Sequence, residues 1–566
     1  MKKNTYRKDI QGMRAIAVLL VIFFHLGITC VSGGLLGVDI FFVISGFLIT
    51  SIINRDIING NFQFRIFYLR RMRRILPALL TVLFFTTLVA VIILLPQDLA
   101  HYSSSLLASL TSVANIYFWR IVPTGYFQDN THYVPLIHIW SLGVEEQFYI
   151  FWPLLLFYGI KFLSRKTFCI VLGLITVISA LSSVCLWIYG HTSVAFYSPT
   201  SRAFELLFGC MFALYGLKIP RLTNVWNQWC SLFGLSVIIF TTCFTNPNSA
   251  LSGCWEVITC FGTLLLIYSG THHETIVSSL LSSRVFYFIG LISYSLYLWH
   301  WPILAYTHDL NIQMTAQIKL LIFLVSILLA FLSWKFIENP FRKTKKFSFS
   351  KTFIYLLVIP ILCAITFMFF VRVTHGYERR FSNKIDKIYN LSITPGYSVL
   401  GDCFGGDPEK PTPEKDCFIG DKTKSRTKVL LVGDSHAAAD INMISDMLKR
   451  AKLKGYVVTL GAAAYLPGVS SPSYETKAMR ARNSAITNII KKHDFKYVVM
   501  GGIWAAYNND LVNVKLCKSE DYSLLRKGLI TALSIITSQS AIPVIILDTP
   551  PPLIFKSKMP NYFRSI

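Results

Sequence analysis

Charge is what this sequence has least of. Asp, Glu, Lys and Arg together make up 15% of its 566 residues, where a soluble globular domain carries about 25%. With 53% hydrophobic residues and a mean hydropathy of +0.52, that scarcity excludes an ordinary soluble chain and puts most of the sequence in a bilayer. Acidic residues are scarcer still, 29 against 54 basic ones, for a formal net charge of +25. In a soluble protein such an excess would point to nucleic acid. Here the basic residues cluster in short tracts beside apolar runs, where membrane topology accounts for them, and no nucleic-acid partner is expected. A cleavable signal peptide is also missing: the first apolar run follows MKKNTYRKDIQGMR, contains Arg14 and His25, and has no small-residue cleavage site. The N-terminus is therefore expected to stay in the cytoplasm.

Apolar windows of about 20 residues, some shorter, are long enough to cross a bilayer. Eleven of them fall at 10–28, 35–53, 75–95, 146–163, 168–188, 202–217, 229–246, 255–270, 286–306, 317–337 and 352–372. Counted from inside, the basic tracts at 65–74, 161–166, 217–221 and 341–351 all land on the cytoplasmic side, as the positive-inside rule requires. The apolar stretch 106–119 reads as a re-entrant or interfacial segment of an external loop, 96–145, because a twelfth crossing would put every later basic tract outside. An odd count places everything after 372 outside the cytoplasm. The composition turns polar near 376, at THGYERRFSNK. The predicted organisation is a polytopic α-helical membrane domain of about ten helices over 1–345, a linking transmembrane helix over 346–375, and an extracytoplasmic α/β domain over 376–566. Of twelve cysteines, nine lie at or before Cys363, where small apolar packing explains them. Cys403 and Cys417 bracket a Pro/Gly-rich loop and are expected to pair in an oxidising compartment, leaving Cys517 over.

Ionisable residues inside the membrane are expensive and by default mark a site. Arg14 and His25 are eleven positions apart, which on a helix brings them within about 20° of one face and ~16 Å apart along the axis. FYLRRMRRILPA sets Arg70, Arg71, Arg73 and Arg74 at the cytoplasmic mouth of the third span. Such a cluster anchors topology, and forked guanidinium groups also bind phosphate. Further polar islands are Asp39, His138 with Glu145 and Glu146, Arg202 with Glu205 three residues on, and Trp299-His300-Trp301. Arg202 and Glu205 are spaced to pair within one helix.

Residues 9–50 (DIQGMRAIAVLLVIFFH, then GGLLGVDIFFVISGFLIT), FYLRRMRRILP, HIWSLGVEEQFYIFWP, GLISYSLYLWHWP and FIENPF strongly resemble the membrane-bound acyltransferase family 3. The external part is similar to the SGNH hydrolase-like, flavodoxin-like domain fused to many bacterial members. The resemblance implies an O-acyltransferase, most often an O-acetyltransferase, in the bacterial inner (plasma) membrane. It would move an acyl group from cytosolic acyl-CoA, typically acetyl-CoA, to a glycan hydroxyl outside, such as lipopolysaccharide O-antigen. It assigns Arg14 and His25 to the family's arginine, ten residues, histidine motif, and Arg71 and Arg74 to its Arg-x-x-Arg motif. The arginines, Arg14 among them, would then hold the CoA phosphates, and His25 would act as general base or carry the acyl group. Glu145 or Glu146, at the outer end of the fourth span, is expected to orient an imidazole or a sugar hydroxyl. Membrane lipids are the remaining partner, and no metal is expected.

In the external part, KVLLVG, YVVTLG, YVVMGG and IPVIILD alternate with helical stretches, a βαβ pattern that implies a parallel sheet. GDSHA then sets Ser435 at the carboxyl end of a strand and the start of a helix, which suits a nucleophile. The resemblance makes it the SGNH serine. That serine needs a base, and the Asp-x-x-His tetrad that SGNH domains use occurs nowhere after 376, so the domain is expected to be incomplete at its C-terminus. His436 follows Ser435 directly and diverges from it; His493 would serve only if folding brought it back. Trp504 stands where many SGNH hydrolases have an asparagine, with Asn508 and Asn509 nearby. Two other classes fit part of the pattern: a transporter or flippase of glycan or acyl precursors, disfavoured by the lack of paired inverted halves, and an inactive glycan-binding remnant.

Overall fold

In hydrocarbon every backbone N–H and C=O must be satisfied within its own segment, so apolar runs of this length fold as helices. The computed structural model describes residues 7–121, 131, 133–216, 222–245, 249, 251–272, 274–344, 348–380, 417–470, 476–504, 512–513 and 523–547. The chain divides into two units, Met1–Glu378 and Arg379–Ile566. The first is helical: α1 (Lys8–His25), α2 (Gly37–Ile58), α3 (Phe64–Ile93), α4 (Pro96–Leu110), α5 (Ala114–Ile121), α6 (Trp140–Phe162), α7 (Arg165–Ile188), α8 (Thr192–Tyr197), α9 (Pro199–Tyr215), α10 (Asn224–Phe244), α11 (Ser252–His272), α12 (Ile276–Leu281), α13 (Arg284–Asp309), α14 (Ala316–Ser333), α15 (Asn339–Lys343), α16 (Phe349–Phe353) and α17 (Ile359–Val373).

Among the described residues, eight helices are long and apolar enough to cross a membrane, and the chain is a multi-pass membrane protein. The other three windows are helical too, as α1, α6 and α9. Charge sets two of them apart, α1 with Asp9 and Arg14 and α6 with Glu145 and Glu146; α9, which carries Arg202 and Glu205, is also the shorter at 17 residues. The 106–119 stretch falls on α4 and α5, of 15 and 8 residues. At 1.5 Å per residue they reach only about 22 and 12 Å, short of the ~30 Å hydrocarbon core.

The outside of this unit is apolar, with Leu174, Val177, Ile178 and Leu181 exposed on α7 and Leu320, Leu321, Leu324 and Leu328 on α14. These are faces for lipid. Inside, contact relies on small residues. α2 crosses α9 at Gly46 and Gly209, where an added Cβ would stand 1.9 Å from the Leu206 carbonyl and 2.0 Å from that of Val43, respectively. Only glycine permits that approach, which brings Asp39 of α2 beside Arg202 of α9. One π-turn, Trp334–Glu338, joins α14 to α15 and delivers Glu338 to the interior.

The second unit is α/β. Its sheet has the order β1-β3-β2-β5-β7, from β1 (Phe418–Gly420), β2 (Thr427–Gly433), β3 (Lys454–Thr459), β5 (Tyr497–Gly502) and β7 (Ile542–Leu547). All pairs are parallel except β1 on β3. A separate pair joins β4 (Val469–Ser470) to β6 (Val512–Asn513). Helices α18 (Ser435–Ala439), α19 (Ile441–Arg450), α20 (Thr476–Lys492) and α21 (Ser523–Ser538) complete the alternation. β2 lies between β3 and β5, so its carboxyl end is the switch point of the sheet, where α/β folds bind ligands. The antiparallel β1 and the β4–β6 pair are not legible in the apolar pattern. Cys417 is disulfide-bonded; Cys403 and Cys517 lie outside the described residues.

Candidate active site

A cavity of ≈ 240 Å³ opens inside the helical unit between α1, α2, α3, α6 and α13. Arg14, Arg71, Arg74 and Arg342 line it, against Glu145 and Glu338. A second space of ≈ 470 Å³ adjoins it, sharing Ile49, Ile52, Arg71 and Arg74 and adding Arg55 and Arg70. The Arg-x-x-Arg pair therefore stands where the two spaces meet. Four guanidinium groups against two carboxylates give the inner cavity a surplus of donors suited to an anion.

The arginines are held individually. Arg71 approaches Glu146 at 3.4 Å and Glu145 at 3.8 Å, and its guanidinium carbon sits 3.4 Å from the Tyr149 ring centroid. Its buried Nε has no hydrogen-bond partner. Arg14 donates to Gln11 at 3.1 Å, and Arg74 lies in electrostatic reach of Arg14, Arg71, Arg342 and Glu338. Glu145 accepts from Ser45 and Tyr149. Glu145 thus lines the arginine cavity, where it holds Arg71 and Tyr149.

The imidazole partner of His25 is another histidine. His25 Nδ1 lies 3.1 Å from His300 Nε2, the two rings stack with centroids 5.3 Å apart, and Trp301 meets His25 edge-on at 4.6 Å. His300 Nδ1 is 2.6 Å from the Tyr297 carbonyl. A carbonyl only accepts, so Nδ1 of His300 carries the proton and its Nε2 the lone pair. His25 Nδ1 must then donate, leaving the lone pair of neutral His25 on Nε2. One backbone carbonyl thus sets two tautomers. Tyr297 also links this pair to the cavity it lines: its hydroxyl bonds Ser141 at 2.7 Å and the His138 carbonyl at 2.8 Å. His138 is a third buried imidazole, its ring 5.8 Å from that of His300.

Arg202 and Glu205 do pair, at 2.8 Å, but within a larger knot. Arg202 Nη1 also meets Asp39 at 2.9 Å and Glu256 at 3.0 Å, and Ser183 and Trp187 donate to Glu256. The three carboxylates approach one another as metal ligands would, and the guanidinium takes the place such an ion would fill. Glu256, Glu338, Arg342, Ser45 and Tyr149 escape the sequence reading of the site. The rule that intramembrane charge marks function would have flagged Glu256 and Glu338.

In the second unit Ser435 stands at the carboxyl end of β2, as expected. Asp434, fully buried, accepts from the His436 amide at 2.8 Å and the Ile503 amide at 3.0 Å, fixing the turn. Close approach does the rest: a Cβ on Gly433 would stand 1.9 Å from the Gly501 carbonyl. No hydrogen bond is formed by the Ser435 hydroxyl among the described residues. His493 cannot supply a base. Lys496 bonds back to Lys428 at 2.8 Å, so His493 sits at the entry edge of the sheet, about 20 Å of strand away from the serine. Trp504 donates to the Ile546 carbonyl at 2.8 Å; Asn508 and Asn509 lie outside the described residues.

Comparison with known proteins matches residues 7–335 to the family described as "Acyltransferase domain" and residues 402–564 to "SGNH domain (fused to AT3 domains)". The Staphylococcus aureus (strain MRSA252) protein named "Putative O-acetyltransferase SAR0937" is 30% identical over 77% of this chain and 74% of its own length. "Putative peptidoglycan O-acetyltransferase YrhL" of Bacillus subtilis is 33% identical over 62% of this chain and 57% of its own. "O-acetyltransferase OatA" of Staphylococcus aureus (strain MRSA252) is 31% identical over 65% and 64%. No solved structure matches.

Proposed function

Since this chain belongs to the membrane acyltransferase family 3 with a fused SGNH domain, we propose that it is an O-acetyltransferase. It would draw acetyl groups from cytosolic acetyl-CoA and deliver them to hydroxyls of an extracytoplasmic glycan. The observation that carries this reading is the arginine-lined cavity that ends at Tyr297, two hydrogen bonds from His25 through His300. Arg70, Arg71 and Arg74 at the outer space would take the nucleotide phosphates, and Arg14 and Arg342 the pyrophosphate or the thioester carbonyl. The pantetheine arm would lie in the inner cavity.

His25 Nε2 removes the proton from the attacking hydroxyl or takes the acetyl group itself; in both cases the proton or acyl group is passed on and the thiolate of CoA leaves. His300 is a positioning residue, holding the tautomer that makes Nε2 basic. For the acceptor, the printed name of the Bacillus subtilis relative favours peptidoglycan over the lipopolysaccharide O-antigen expected from the sequence. The proposed orientation places the N-terminus in the cytoplasm and the α/β unit outside the plasma membrane. Purified protein in sealed vesicles should move radiolabel from acetyl-CoA on one side to glycan on the other. Label that crosses as free acetate or intact donor, with no ester formed, would favour a transporter and sink the proposal.

A further inference from the structure

A second cavity lies on the other side of Val38, which lines both spaces. Its walls differ in kind from those of the first. Three aromatic rings, Trp140, Trp187 and Phe196, stand beside Asp39, Arg202 and Glu256. The Trp140 and Phe196 rings pack with centroids 4.3 Å apart, and the Arg202 guanidinium lies over both, at 5.6 and 5.1 Å. Thr245 completes the wall. It is 3% exposed, and its Oγ1 has no hydrogen-bond partner. A buried hydroxyl without a partner is costly, and here it borders an open space.

The lining also differs in composition from the arginine cavity: two carboxyl groups face one guanidinium that pairs with both. Asp39 lies in the first turn of α2, where the helix dipole steadies it, and Arg202 pairs with both Asp39 and Glu256. Carboxyl oxygens and a threonine hydroxyl are the features that bond the hydroxyl arm of a neutral sugar, and the aromatic rings beside them pack against its methylene. The space is ≈ 30 Å³. A water needs roughly 10–15 Å³ measured in this way, so one hydroxymethyl or hydroxyl arm enters and the ring stays outside.

We propose that this cavity is the acceptor subsite, binding one polar arm of a neutral glycan on the far side of Val38 from the donor. The inference rests on the transfer reading above and adds where the acceptor is held. The test is steady-state kinetics of the full-length protein in vesicles, with acetyl-CoA as donor and N-acetylglucosamine oligomers as the neutral acceptor probe. Thr245→Val keeps the shape and removes the hydroxyl. It should raise the acceptor KM about three- to tenfold and leave the donor KM unchanged, and Thr245→Ser should restore the acceptor KM. An unchanged acceptor KM, or an equal rise in both constants, overturns the subsite. So does a protein that acetylates only anionic or lipid acceptors, while the transfer reading survives. A protein that releases no CoA from acetyl-CoA under any condition overturns both.

Discussion

His25 and Ser435 both stand out in the sequence as reacting groups, yet the fold treats them differently. His25 ends α1 with its Nδ1 bound to His300 and an edge-on Trp301, and Tyr297, whose carbonyl holds His300, lines the cavity with four arginines. Ser435 begins α18 on a well-built turn, with Asp434 capping it, but no imidazole or carboxylate reaches its hydroxyl among the described residues. The membrane unit holds a reacting group with its orienting partner and a place for a donor; the α/β unit holds a nucleophile's scaffold. We propose that the acyl transfer chemistry lies at His25, in the membrane unit.

That contrast can be broken most sharply at His25. His25→Ala should lower acetyl transfer by about 10²- to 10⁴-fold, the range for loss of a general base, measured as ester-linked acetate formed per unit protein. His300→Ala should lower kcat by roughly 10- to 100-fold and leave the donor KM unchanged, since it frees the tautomer without touching the donor. A shifted pH–rate profile would separate this role from a merely structural one. Arg71→Ala and Arg74→Ala should each raise the donor KM by about tenfold, the loss of one or two charge-assisted hydrogen bonds. Gly433→Ala should destabilise the α/β unit by about 1–3 kcal/mol, seen as faster proteolysis of that unit. Acetyl transfer by the membrane unit should persist. The smallest effect is expected at Ser435: Ser435→Ala should change transfer by less than about threefold.

How much of this was legible depends on the kind of signal. Helices were written in long apolar runs, and even α1, α6 and α9, whose charges lower their hydropathy, fall where the windows place them. Arg14, Arg71 and Arg74 were legible because charge in a membrane is conspicuous and their spacing matches the family. The pairing of His25 with His300 was not, because 275 residues separate them and no periodicity within α1 or α13 encodes which helices adjoin. The approach of Arg71 to Glu145 was hidden for the same reason: position along α6 says how deep Glu145 lies, and only the packing of α3 shows that Arg71 faces it. The knot at Arg202 reads as a simple three-residue pair until α2 and α11 bring Asp39 and Glu256 to it. In the α/β unit β2, β3, β5 and β7 were legible as short β-rich runs. β1, of three residues, is too short to carry a pattern.

The most direct test is the ester-linked acetate formed on surface glycan by cells expressing this chain, beside His25→Ala and Ser435→Ala versions at matched protein levels. Acetate that disappears with His25→Ala and persists with Ser435→Ala is the expected result. Acetate that persists with His25→Ala, or that is lost equally with Ser435→Ala, would contradict the assignment of the transfer chemistry to the membrane unit.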